Sequence, residues 1–230
     1  MLAYFEDLFA IIFPNNCNAC GKALYKHEEL ICNYCKAHLP YTNFHTIIDN
    51  PVEKVFWGRV QFQTAATLLY FHKGSRVQSL MHRFKYKGKK EIGHYLGLIY
   101  GEVLKRDAVL NNAELIIPVP LHPEKLRKRG YNQSLWFAKG LAQVLQIPVE
   151  EENLVRVVAS LTQTRKSRYE RWENVESIFE VKHPERLQNK HLILVDDVIT
   201  TGATIEACAQ TLLKAASCKI SCLALAYAHK

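Results

Sequence analysis

The chain has 230 residues, 48% hydrophobic and 23% charged, which suits one full-sized α/β domain plus a small appendage. It has enough apolar material for a core without disulfide staples, and the absence of a run of about 18 apolar residues argues against a membrane span. Thirty Lys and Arg against 22 Asp and Glu leave a formal charge of +8, which favours anionic partners such as phosphates, nucleotides or nucleic acid and says nothing about fold.

Leu2, Phe5, Leu8, Phe9 and Ile12 are spaced as one face of a short amphipathic helix packing on its own protein. Glu6 and Asp7 interrupt the apolar run, and there is neither a basic flank nor a small-residue cleavage site, so a secretory signal is not expected and a cytoplasmic location is. Four of the seven cysteines follow as two C-x-x-C pairs, Cys17/Cys20 and Cys32/Cys35, with eleven residues between the pairs. Each pair can turn two thiolates toward one point, and two such knuckles complete the tetrahedron that structural zinc prefers. An iron–sulfur cluster uses the same ligands, and spacing alone does not separate the two. Disulfides would need an oxidising compartment. Cys208, Cys218 and Cys222 read as small core residues.

Residues 36 to 63 carry few repeating signals and read as a linker. Thr64 to Phe71 reads as a strand, and Arg76 to Phe84 and Ile92 to Arg106 read as helices, with Gly88 and Gly93 marking the break. Around that break five basic residues interleave with two aromatics, in Arg83-Phe-Lys85-Tyr86-Lys87-Gly-Lys89-Lys90. Two readings stay open: a solvated helix end, or a surface for phosphate or single-stranded nucleic acid on which bases stack against Tyr86.

From Glu114 onward the alternation suggests a parallel α/β sheet. Glu114 to Pro120 is a buried strand running into a proline-bounded loop, Asn132 to Leu145 a helix, and Leu154 to Val158 and Ile178 to Val181 short strands. His191 to Val195 is a strand ending in Asp196 and Asp197. The run Val198 to Thr204 leads into a helix through about Ala216, and Lys219 to Ala228 closes the sheet. The junction is the most informative passage. Carboxylates at the C-terminal end of a strand can accept hydrogen bonds from a vicinal diol. Thr200, Thr201, Gly202, Ala203 and Thr204 offer hydroxyls and helix N-terminal N–H groups to a phosphate. Together they describe a ribose 5-phosphate.

Leu194-Val-Asp-Asp-Val-Ile-Thr-Thr-Gly-Ala-Thr204 resembles the phosphoribosyl diphosphate signature of type I phosphoribosyltransferases. More narrowly, the chain resembles the ComF family of competence-associated, phosphoribosyltransferase-like proteins. That resemblance rests also on the N-terminal helix, the paired C-x-x-C module, Phe84-Lys-Tyr-Lys-Gly88, Pro118-Val-Pro-Leu-His122, Arg127-Lys-Arg-Gly-Tyr-Asn-Gln133, Thr162-Gln-Thr-Arg165 and Asn174-Val175. It implies a type I phosphoribosyltransferase-like parallel sheet with flanking helices and a small N-terminal zinc module with four cysteine ligands. The implied organisation is a helix and zinc module over 1–40, a linker and hood-like segment over 41–110, and the phosphoribosyltransferase-like domain over 111–230.

By the same resemblance Asp196 and Asp197 bind the ribose hydroxyls, Thr200 to Thr204 hold the 5-phosphate, and Val119, Pro120 and the residues to His122 form the diphosphate loop. Ser160 to Trp172 match a flexible catalytic loop whose Arg165, with Lys166, Arg168 and Arg171, suits a diphosphate. A transferase of this type uses Mg²⁺ to neutralise the leaving diphosphate. Three expectations follow: a Mg²⁺-dependent transferase with an unknown acceptor, a non-catalytic phosphoribosyl diphosphate binder supporting DNA uptake, or a single-stranded DNA-binding module. A protein partner in the competence machinery belongs to the same set.

Overall fold

The computed structural model describes residues 15–157 and 178–228. The expected N-terminal helix over 2–13 and the expected catalytic loop over 160–172, with its Arg165, lie outside them. Four apolar strands build the central sheet, all parallel, in the order β1-β6-β5-β2. These are β1 (Ala65–Tyr70), β2 (Leu115–Pro118), β5 (His191–Ile199) and β6 (Lys219–Tyr227). Strands covered on both faces need continuous apolar runs rather than alternation. Leu192 to Val195 and Cys222 to Ala226 supply them and are wholly buried.

Among the described residues, seven α-helices lie around the sheet and in the cysteine module, several of them with a side-chain N-cap. The first, α1 (Asn33–Ala37), belongs to the cysteine module, and α2 (Pro51–Phe56) follows. Next come α3 (Arg76–Tyr86), α4 (Glu91–Leu104), α5 (Pro123–Arg129), α6 (Gln133–Leu145) and α7 (Ala203–Ala215). Ser75 caps α3 and Asn132 caps α6, each accepting a hydrogen bond from the N–H two or three residues on. Gly88, at φ 67°, turns the chain between α3 and α4.

Several expectations change here. Gly93 does not mark the break but lies inside α4, where a Cβ would fall 2.3 Å from Phe84 Cζ. The linker over 36–63 carries structure, because the buried Asn50 organises it: Nδ2 donates to the carbonyls of Phe44, Ile47 and Ala65, while Oδ1 caps α2. The short strands β3 (Leu154–Arg156) and β4 (Phe179–Val181) pair antiparallel with each other, apart from the main sheet. Strand β5 does not stop at Val195 but runs through both aspartates to Ile199, since β6 continues to pair beside it. Strand β1 and helix α4, from the segment before residue 110, enter the same sheet and the same helical layer as the later chain.

Candidate functional site

Unequal strand lengths create the site. β2 ends at Pro118, opposite Val195, whereas β5 and β6 continue. Asp196 and Asp197 therefore stand past the end of β2, at the carboxyl edge where open α/β sheets bind ligands. The gap beyond β2 is bordered by the loop from Val119. That loop is fixed twice: the Val119 N–H donates to the Val195 carbonyl at 2.9 Å, and Asn132 Nδ2 donates to the Val119 carbonyl at 3.0 Å. Asn132 thus acts as a structural pin as well as a cap. Val119 is buried, while Pro120 is half-exposed beside it. Arg127 is exposed on α5, and Arg129 lies 5.5 Å over the Tyr86 ring while donating to Gln133 Oε1 at 2.6 Å.

The two aspartates have different surroundings. Asp196 Oδ1 accepts from Ser134 Oγ at 3.0 Å and from the Asp197 N–H at 2.8 Å. Asp197 Oδ2 lies 2.9 Å from Lys85 Nζ, on the last turn of α3. Burial and the adjacent Asp197 carboxylate push the Asp196 carboxyl up to about 7, against the opposing pull of its hydrogen bonds and of Lys85.

A value raised in the folded chain means that the folded chain holds the proton more tightly than the unfolded one. Asp196 therefore contributes stability that is full below its ordinary 3.8 and is lost as pH rises through about 7. Thermal unfolding of ligand-free protein between about pH 5 and 8 is expected to show this loss in wild type and its absence in Asp196→Asn. Parallel profiles would contradict it.

Beyond Ile199 the chain turns at Gly202, φ 74°, into α7. Thr200, Thr201, Ala203 and Thr204 are exposed, and no side chain caps the helix at Gly202. The start of α7 and the three threonines at and before it are thus left exposed, and a helix N-terminus of this kind is suited to an anion. The turn is held from behind by residues far away in sequence. A Cβ on Gly202 would fall 2.7 Å from both Phe56 and Val55. Arg59 donates to the Thr201 carbonyl at 3.0 Å and pairs with Glu206 of α7. Neither Lys85 nor Arg59 is visible as part of this site from local sequence. Arg59 sits in no motif, and Lys85 reads as one of a run of basic neighbours.

Those neighbours are spread over the surface. Tyr86, Lys87 and Lys89 are exposed, and Lys90 lies 4.6 Å over the ring of Trp136. Lys139 approaches the same ring at 5.7 Å.

The second cluster lies in the N-terminal module. The Sγ atoms of Cys17, Cys20, Cys32 and Cys35 all fall within 4.8 Å of one another and can hold a metal ion. Cys20 and Cys32 are 3.9 Å apart, close to the edge of about 3.8 Å of a tetrahedron with Zn–S bonds of about 2.3 Å. Gly21 takes φ 79° just after the first knuckle. Burial opposes a Cys17 thiolate, but N–H groups of Cys32, Cys20 and Ala19 donate toward it and bring the thiol down to about 7. Burial and the neighbouring thiols push Cys35 up. Among the described residues, no helix is long and apolar enough to cross a membrane.

Residues 132–230 match the family profile of the phosphoribosyl transferase domain, consistent with the parallel sheet and flanking helices. DNA utilization protein YhgH of Escherichia coli K12 is 30% identical over 212 residues, 90% of this chain and 88% of the relative. Competence protein F of Haemophilus influenzae is 29% identical over 203 residues, covering 86% and 84%. Competence protein ComFC of Bacillus subtilis is 31% identical over 138 residues, covering 60% and 54%. With a type I phosphoribosyltransferase fold, a clustered four-cysteine module and relatives matched along nearly its whole length, the chain belongs to the ComF family.

Proposed function

We propose that the chain binds phosphoribosyl diphosphate, or a related ribose 5-phosphate ligand, at the carboxyl edge of β5. The observation that carries this reading is the placement of Asp196 and Asp197 beside an uncapped, hydroxyl-lined helix N-terminus. The aspartates accept from the ribose hydroxyls, Thr200 to Thr204 hold the 5-phosphate, and the Val119–Pro120 turn faces the diphosphate. Arg165, outside the described residues, is the cation that the ComF resemblance assigns to that group. Mg²⁺ would arrive on the ligand's diphosphate and neutralise it. In transfer, the bond from the anomeric carbon to the diphosphate oxygen breaks, its electron pair leaves with diphosphate, and an acceptor nucleophile forms the new bond. Zinc in the four-cysteine cluster would be structural, because all four positions are filled by protein.

A second reading is favoured by the exposed Tyr86, Lys87 and Lys89 and by the Trp136 ring flanked by two lysines. Cations with aromatic faces suit single-stranded DNA, and the relatives' names refer to DNA utilization and competence. Binding without transfer, in support of DNA uptake, would need only these parts.

Calorimetric titration separates the readings. Wild type is expected to bind phosphoribosyl diphosphate with Mg²⁺ saturably, and Asp197→Asn to lose about tenfold or more in affinity, as for one charge-assisted hydrogen bond. Single-stranded DNA, if bound, should weaken steeply with salt and be untouched by Asp197→Asn. No binding of the sugar ligand by wild type would remove the first reading and leave DNA or protein partners.

A further inference from the structure

The fold divides what reads in sequence as one basic patch. Lys87 and Lys89 face solvent, whereas the Lys85 side chain is 21% exposed and meets an Asp197 side chain that is 14% exposed. Helix geometry explains the split. Lys85 follows the buried Phe84 and stands four residues after the buried Met81, on the flank of α3 that faces the carboxyl edge, while Tyr86 turns outward.

The backbone that delivers Lys85 is held without help from the ion pair. The Tyr131 hydroxyl donates to the Phe84 carbonyl, and the Lys87 N–H donates to the Arg83 carbonyl at 3.0 Å. Gly93 lets α4 close against the Phe84 ring. Both side chains are mostly withdrawn from water, where the Coulomb gain of a pair is largely offset by the desolvation of its two charges, so the value of Lys85 lies in what it does to the acids.

Two adjacent carboxylates repel each other, and both must be free to accept from a diol. In a site that depends on magnesium, the compensating charge arrives with the substrate. Here the chain carries a cation of its own at 2.9 Å from Asp197. Lys85 Nζ has three N–H donors, so two remain beyond the one facing Asp197, able to meet a sugar oxygen.

We propose that Lys85 is a positioning residue of the ribose site, supplying the counter-charge of the acid pair so that ribose 5-phosphate esters lacking a diphosphate bind without a divalent ion. The proposal rests on the phosphoribosyl reading above and widens its ligand class to simple sugar monophosphates.

The test is titration of the full chain with ribose 5-phosphate, first in buffer freed of divalent ions by chelating resin, then with Mg²⁺. Soluble chelators are avoided because they would compete for the cysteine cluster. Phosphoribosyl diphosphate with Mg²⁺ is run beside it. Wild type is expected to bind ribose 5-phosphate equally in both buffers. Lys85→Met should weaken binding about tenfold or more in the metal-free buffer and recover in part with Mg²⁺, while Lys85→Arg keeps most of the affinity. Matching unfolding transitions exclude misfolding, and recovery with Mg²⁺ is a response that a merely structural residue would not give.

Equal metal-free affinity in wild type and Lys85→Met overturns the proposal. So does wild type that binds phosphoribosyl diphosphate with Mg²⁺ but no metal-free ribose 5-phosphate, and in either case the phosphoribosyl reading survives. Binding of neither ligand in either buffer overturns both.

Discussion

Gly140→Ala is expected to destabilise the chain by about 3 kcal/mol, although alanine is the better helix former by about 1 kcal/mol. The reason is the crossing of α4 and α6. A Cβ on Gly140 would fall 2.1 Å from the His94 carbonyl oxygen and 2.8 Å from Gly97 Cα. The facing glycine is as crowded, since a Cβ on Gly97 would meet the Phe137 carbonyl oxygen at 2.4 Å and Gly140 Cα at 2.9 Å. Backbone atoms cannot rotate aside, so the helices must part. Parting them loosens Leu96, Tyr100, Phe137 and Leu141, all buried at this contact, and loses dispersion contacts along the seam. Denaturant unfolding of Gly140→Ala beside Gly88→Ala provides the comparison. Gly88 meets nothing within 4 Å and carries only its φ of 67°, so its variant should lose about 1 kcal/mol. If Gly140→Ala matched that small loss, the two helices would not cross as closely as described.

The same glycines show where local sequence stops being informative. Gly93, Gly97 and Gly101 recur every fourth residue, and a glycine near a helix boundary reads as punctuation. Their actual role is close approach to elements elsewhere in the chain, and no local propensity encodes that partner. Strand β5, the acid pair and the turn into α7 were legible because their chemistry is contiguous, each element supplying the next. The cysteine pairs were legible because ligand spacing is itself a local property. Lys85 and Arg59 were not, because each reaches its target across the tertiary structure: one from α3 to Asp197, the other from behind the loop to the Thr201 carbonyl. The expected linker hid Asn50 for the same reason. Its five hydrogen bonds join three segments, and only their assembly makes a lone Asn informative. β5 is longer than its apolar run suggests because aspartates seldom continue a strand, and pairing with β6 overrides that preference.

Removing metal from the cysteine cluster is expected to unfold residues 15 to about 40 while the parallel sheet stays folded. In small structural zinc sites the metal contributes an apparent 10–16 kcal/mol or so, far more than a segment of this size can bury. Its own apolar core is thin, with Ala19, Ile31 and Leu39 beside the buried Cys17 and Cys35. The other ties are hydrogen bonds and ring contacts. Asn18 bonds the Leu30 carbonyl through both its backbone and side-chain nitrogens, each at 2.9 Å, and Arg76 at the start of α3 lies 5.0 Å over the Tyr34 ring. Without an ion, four thiols within 4.8 Å of one another cannot all ionise, and the opposed shifts of Cys17 and Cys35 reflect that conflict. A bound dication resolves it by making thiolate the favoured state at every position. Metal analysis of protein purified without chelator should therefore find about one zinc per chain, and Cys35→Ser should find clearly less. Limited proteolysis of the variant should cut first between residues 15 and 40. The main unfolding transition should persist, because the sheet and its helices are anchored through β5 and β6 rather than through this module. An unchanged cleavage pattern in metal-free protein would show that contacts such as those of Asn18 and the Tyr34–Arg76 pair suffice to hold the module without the ion. An iron chromophore would leave the four ligands in their role and replace the ion.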